Sequence, residues 1–183
     1  MTPKERKHFV NIMRYFLVLA FLLWLPALQA QQPAGGETEP KLGKVRRGMT
    51  WVLKKKDGDL SCVGRHDTTD AYRGDTPCTA LLPILAIKRK KLPKPESLVI
   101  ESEYYQWSGG VIALTKPVEG SRLTSLEEAN RIIQEQLGPG WEMAEFHDGW
   151  GWNFWAYGDI AHDQHFWVFI NDQPANPWDS VPE

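Results

Sequence analysis

Apolar and polar residues along this chain are patterned as short strands around one helix. TWVLKK (50–55) and LSCVG (60–64) flank Asp57-Gly58, and that arrangement predicts a β-hairpin. LLPILAIK (81–88) is an apolar run of strand length. VIESEYYQW (99–107) and GVIALT (110–115) read as two strands around Ser108-Gly109-Gly110. WEMAEF (141–146), GWNFWAYG (151–158) and HFWVFIN (165–171) read as three more. A helix is expected at about 125–137. Thr124 with Glu127, and Ser125 with Glu128, make overlapping capping boxes at its start. Leu126, Ala129, Ile133 and Leu137 then recur at helical spacing, and Gly138-Pro139-Gly140 ends the run. One helix among so many short strands predicts an α+β fold with a mostly antiparallel sheet.

The first residues follow a different pattern. Lys4, Arg6, Lys7 and Arg14 precede an unbroken apolar run from Tyr15 to Leu25, then Pro26 and the small Ala30. Basic start, short apolar core and small residue together predict a signal peptide over 1–30. The run is too short for a membrane span, which needs about 20 apolar residues. The chain is therefore expected to be secreted or periplasmic after cleavage near Ala30, meeting the membrane only during export. Residues 31–41 (QQPAGGETEPK) are polar and rich in Gly and Pro, and are expected to be a disordered leader. In an exported chain the two cysteines, Cys62 and Cys78, are expected to form one disulfide. It would close a loop of about 15 residues and contribute roughly 3 kcal/mol.

Charge divides the remainder. Residues 31–95 carry 14 Lys and Arg against 7 Asp and Glu, whereas 96–183 carry 3 against 15. The chain thus reads as a basic, β-rich part (42–95) with a disulfide loop and an acidic, Trp-rich part (96–183), packed into one domain. The basic runs lack interleaved aromatic residues, so nucleic acid is not an expected partner.

Candidate chemistry lies in two stretches. In residues 145–167 (EFHDGWGWNFWAYGDIAHDQHFW), His147-Asp148 and His162-Asp163, with His165, offer imidazole and carboxylate ligands of the type zinc takes. The loop VGRHDTTDAYRGDTP supplies Asp67, Asp70 and Asp75 as oxygen ligands for calcium. Arg73-Gly74-Asp75 within it is the tripeptide of integrin ligands, and is read as coincidence. Strand alternation puts Trp152, Phe154 and Ala156 on one face and Asn153, Trp155 and Tyr157 on the other. If the second face is open, its rings and amide suit stacking on a sugar, with Trp150 beside them between two glycines.

The stretch from Tyr104 to Trp178 resembles a C-type-lectin-like domain in its order of elements. A strand is followed by the helix SLEEANRIIQEQLG, then by WEMAEF, and FWVFINDQPANPW is similar to that family's W-I-G-L-N-D strand and loop. The resemblance implies a ligand loop at Asn171, Asp172, Gln173 and Asn176. It departs at the family's calcium triplet, since Gln173-Pro174 is followed by Ala175, which has no ligand oxygen. The whole mature chain also resembles exported bacterial proteins of uncharacterised family, through CVGRHDTTDAYRGDTPC and GWEMAEFHDG. The leading expectation is a non-enzymatic binding or adhesion module that recognises a glycan or envelope polymer. The alternatives are a metal-dependent hydrolase built on the His-Asp residues, and a structural envelope protein with no small ligand.

Overall fold

The computed structural model describes residues 45–100, 102, 105–160 and 164–182. The expected signal peptide and leader, and His162 and Asp163, lie outside the described residues. Among the described residues eleven strands and one α-helix follow in chain order. They are β1 (Arg47–Gly48), β2 (Thr50–Asp57), β3 (Leu60–Gly64), β4 (Thr76–Pro77), β5 (Leu81–Leu82) and β6 (Leu85–Arg89). Then come β7 (Tyr105–Leu114), β8 (Val118–Glu119), α1 (Leu126–Leu137), β9 (Glu142–Met143), β10 (Asn153–Tyr157) and β11 (Phe166–Trp167). Seven of the strands form one sheet in the order β11-β2-β3-β10-β7-β6-β9. Only the β10–β7 pair within it is parallel. The described residues are mostly sheet with one α-helix, an α+β fold.

Local chemistry explains most of these elements. The β2–β3 hairpin turns at Gly58, whose φ of +56° suits a residue without a Cβ. Ser125 caps α1, its hydroxyl accepting from the Glu128 N–H, and Gly138 closes the helix at φ +90°. Two expectations differ from what is found. Residues 81–88 form two short strands rather than one, because Pro83 has no N–H for a ladder. Residues 105–114 form one continuous strand where two were expected. Gly109 bends within it at φ +69°, and Ser108 Oγ accepts from the Gly110 N–H.

Both faces of the sheet are covered. One face carries a cluster that includes Met49, Trp51, Val63, Leu85, Phe154, Ala156 and Phe166. Residues alternating with these along the same strands enter two other clusters. Ile84 and Ala86 pack with α1 through Ala129, Ile132 and Ile133, and Trp167 joins them. Cys62 and Trp155 pack with Leu60 and Leu98, against the half-buried Ile100, Trp107 and Tyr157. The 98–100 segment thus closes the face of β10 that a sugar platform would have left open.

The expected disulfide is not formed: Cys62 and Cys78 are free, buried thiols. Cys62 points from β3 into the Trp155 cluster, while Cys78 follows β4 and its thiol faces the Pro177 carbonyl at 3.9 Å. Burial pushes the Cys62 thiol up to about 12 and the Cys78 thiol up to about 11, from an ordinary 9.0. Because the folded pKa values are raised, the protonated thiols favour the fold fully below pH 9.0, and that contribution is lost as pH rises towards 11–12. Native protein is therefore expected to resist alkylation at neutral pH and to expose both thiols only when denatured. Fast labelling of native protein would contradict this burial, and an absence of thiols in denatured, unreduced protein would show a disulfide after all.

Candidate metal centre

Three chain segments meet where β2 begins. Thr50, its first residue, is fully buried and pairs with Trp167 of β11, so the residue just before β11, His165, is carried to the same place. The loop after β3 supplies His66, and the residue leading into β4 is Asp75. One ligating atom from each of His66, Asp75 and His165 lies within 4.8 Å of the others. Among the described residues this is the one such group of three.

The geometry centres on the Thr50 hydroxyl. It lies 3.3 Å from His66 Nε2, 3.2 Å from His165 Nδ1, 3.0 Å from Thr76 Oγ1, and 2.5 Å from Asp75 Oδ2. A hydroxyl has one proton to donate and two lone pairs, so it satisfies at most three of these four. One of the four is always left for another partner, and the Thr76 hydroxyl has one in Asp75 Oδ2 at 2.7 Å. The two imidazole rings lie 4.2 Å apart at 57°.

Asp75 is the anchor. Its side chain is only 3% exposed and lies 3.4 Å from His66 Nε2. It accepts from the Thr50 N–H at 3.0 Å, the Asp70 N–H at 3.4 Å and the Thr76 hydroxyl at 2.7 Å. Among the described residues no Lys or Arg pairs with it. Nearby Arg47 donates instead to the Gly74 and Asp75 carbonyls. A buried carboxylate is stable only with several donors or a cation at hand. The Arg-Gly-Asp tripeptide is thus folded inward at its acid.

The rings fit a ligand role. His165, the most open of the three, has its pKa lowered, first by burial and then by the neighbouring His66; Asp75 opposes the shift. A ring held neutral keeps a lone pair for a metal. His66 Nδ1 meets the Thr68 hydroxyl at 2.9 Å and the Thr68 N–H at 3.2 Å. The Thr68 N–H makes Nδ1 an acceptor, which puts the ring proton on Nε2, facing Asp75 and the Thr50 hydroxyl; ligation through Nε2 would move that proton to Nδ1, towards the Thr68 hydroxyl.

No family model, curated protein or solved structure matches the chain.

The other candidate residues lie elsewhere. His147 and Asp148 sit in a 3-10 turn, Phe146–Gly149, where Glu145 and Asp148 form a reciprocal cap. His147 Nδ1 lies 2.9 Å from Glu145 Oε1, and Asp148 accepts from Arg89 at 2.7 and 3.0 Å. Burial raises the Asp148 pKa, and Arg89 opposes it. Asp70 is turned away from the other loop acids, its Oδ1 accepting from the Tyr72 and Arg73 N–H groups, and Asp67 is exposed. The three acids therefore do not gather as a calcium set, although Asp75 joins the histidines.

The aromatic platform is also dispersed. Trp155 is 6% exposed and Asn153 is buried, while half-buried Tyr157 packs edge-on against Trp107 at 5.3 Å. Asn176 is buried, and its amide bridges the Ile170 N–H and carbonyl, both at 2.9 Å. Asn171 and Asp172 are exposed and Gln173 half-exposed. Trp150 stands clear at 82% exposure. His66 is the ligand that sequence reasoning missed. It lies nine residues before Asp75 in one polar, Thr-flanked loop, a spacing that a search of that loop for nitrogen ligands would have picked out.

Proposed function

We propose that this domain is a metal-dependent hydrolase whose centre is His66, Asp75 and His165. What supports the reading is the convergence of two imidazoles and a buried carboxylate, unpaired with any Lys or Arg among the described residues, within 4.8 Å. Two nitrogens and one oxygen suit zinc or a similar divalent transition ion; calcium prefers an all-oxygen set. Three protein ligands leave a coordination position for water or substrate, as in catalytic zinc sites. An ion there supplies Lewis acidity and lowers the pKa of a water molecule. Asp75 fixes the site, His66 is oriented by Thr68, and His165 closes it from the segment leading into β11. On the strength of residues 1–30, the hydrolase is proposed to act after export. Protein dialysed against zinc is expected to retain about one ion per chain. It should hydrolyse simple nitrophenyl esters in a chelator-sensitive way, and His165→Ala should lose both properties. Failure of the folded protein to retain any ion would remove this reading.

A second reading keeps the carbohydrate-binding module, now centred on Trp150. This ring is not only exposed but sits on a left-handed backbone, at φ +70°, which is strained for a bulky residue. Such strain gathers at ligand clamps. Quenching or shifting of tryptophan emission by a soluble glycan, absent in Trp150→Ala, would favour it. An array with no Trp150-dependent binding would exclude it.

A further inference from the structure

Beside the metal centre, and sharing His66 with it, is an open polar cavity of about 310 Å³. Lys54, Arg65, Asp67 and Asn153 complete its lining. We propose that this cavity is the substrate pocket of the centre and that it takes an oxyanion, a phosphoryl or carboxylate group. The inference rests on the hydrolase reading for the word substrate, but the anion site stands on its own observations.

The cavity lies where the middle of β2 meets the end of β3 and the start of β10. Lys54 falls in the register shift of β2, between Leu53 and Lys55, so it is not matched to a β3 residue in the ladder. Arg65 directly follows β3, where its N–H donates to the Trp152 carbonyl at 3.0 Å. Its guanidinium lies over the Trp152 ring, 5.0 Å from the centroid. Held over the ring, and with no acceptor for its side chain among the described residues, the guanidinium keeps its N–H groups for a two-pronged contact with an oxyanion. Neither Lys54 nor Arg65 makes an ion pair with an acid among the described residues. Among the described residues of the lining Asp67 is the only carboxylate, so these side chains sum to a net positive charge before any metal is counted.

Asn153 is the second indication. It is 4% exposed, and its Oδ1 is buried without a donor. That oxygen is packed on Gly64 so closely that a Cβ there would lie 1.7 Å from it. With Oδ1 held against Gly64, the N–H edge of the amide is left for the cavity. A buried acceptor without a partner is costly, and it is a feature kept where a side chain must be aimed. Arg65, Lys54 and the Asn153 amide then surround one anionic group, while His66 links that position to the metal ligands.

Titration with inorganic phosphate and, separately, acetate tests the assignment, read by backbone amide shifts of residues 54, 65 and 153. The titrations are run on chelator-treated and on zinc-loaded protein. Phosphate is expected to bind both forms, and more tightly with zinc. Arg65→Met and Lys54→Met should each weaken it about tenfold, with the melting temperature unchanged. Arg65→Lys should recover only part of the loss. Binding of phosphate without acetate assigns phosphate esters; binding of both admits carboxylates. Binding by the chelator-treated form of a protein that takes up no zinc would keep the anion site and discard the metal centre. Zinc uptake without anion binding, or affinity unchanged in Arg65→Met, would overturn the anion site and leave the metal centre standing.

Discussion

Asp75→Ala is expected to lower the unfolding free energy of metal-free protein by about 3 kcal/mol and to abolish zinc retention. The stability loss follows from what the carboxylate satisfies. Its removal leaves the Thr50 and Asp70 N–H groups and the Thr50 and Thr76 hydroxyls facing a cavity. Asp75→Asn separates the two effects. The amide retains one acceptor oxygen and the side-chain volume, but it removes the negative charge that a divalent ion needs. Its zinc affinity should fall by about 100-fold, with much less loss of stability. Denaturant melts of chelated protein and zinc titrations measure the two quantities. Undiminished zinc affinity in Asp75→Asn would show that the cluster is a hydrogen-bond hub rather than a metal centre.

Trp155→Ala should cost about 3–5 kcal/mol, whereas Trp150→Ala should fall within about 0.5 kcal/mol of the parent. The two rings are five positions apart and lie in opposite surroundings. Trp155 fills the cluster of Leu60, Cys62 and Leu98, and its carbonyl accepts from the Ser108 hydroxyl at 3.0 Å. Its loss opens a cavity that the central strand cannot collapse to fill. Trp150 is 82% exposed and buries little. Urea melts of both variants give the comparison. Equal, small losses would mean that the 98–100 segment does not cover β10 in solution, and the open aromatic face would again be a candidate ligand surface.

The elements legible in the residues are those with local causes. Asp57-Gly58 announced a hairpin, and Ser125 with the 3.6-residue apolar spacing announced α1, because turns and caps are made by neighbours in the chain. Alternation in GWNFWAYG assigned Phe154 and Trp155 to opposite faces, as found. It was silent on what covers each face, since that depends on a segment more than fifty residues away. The cysteines were misread for a related reason: spacing of 62 and 78 permits a bridge, but strand direction sends the Cys62 thiol into another cluster.

The candidate centre divides along the same line. Sequence by itself determined two of the three ligands, Asp75 and His165, but in different groups and for different ions; His66 and the two cations Lys54 and Arg65 were not singled out. It also determined the strand-forming stretches that carry them. Only the tertiary structure decided which of several His and Asp residues meet. Pairing of β11 with β2 brings His165 to Thr50, 115 positions earlier, and the loop after β3 folds back to place Asp75 there. Ligation acts over about 2 Å. Contacts of that range between distant segments are set by sheet register and side-chain burial.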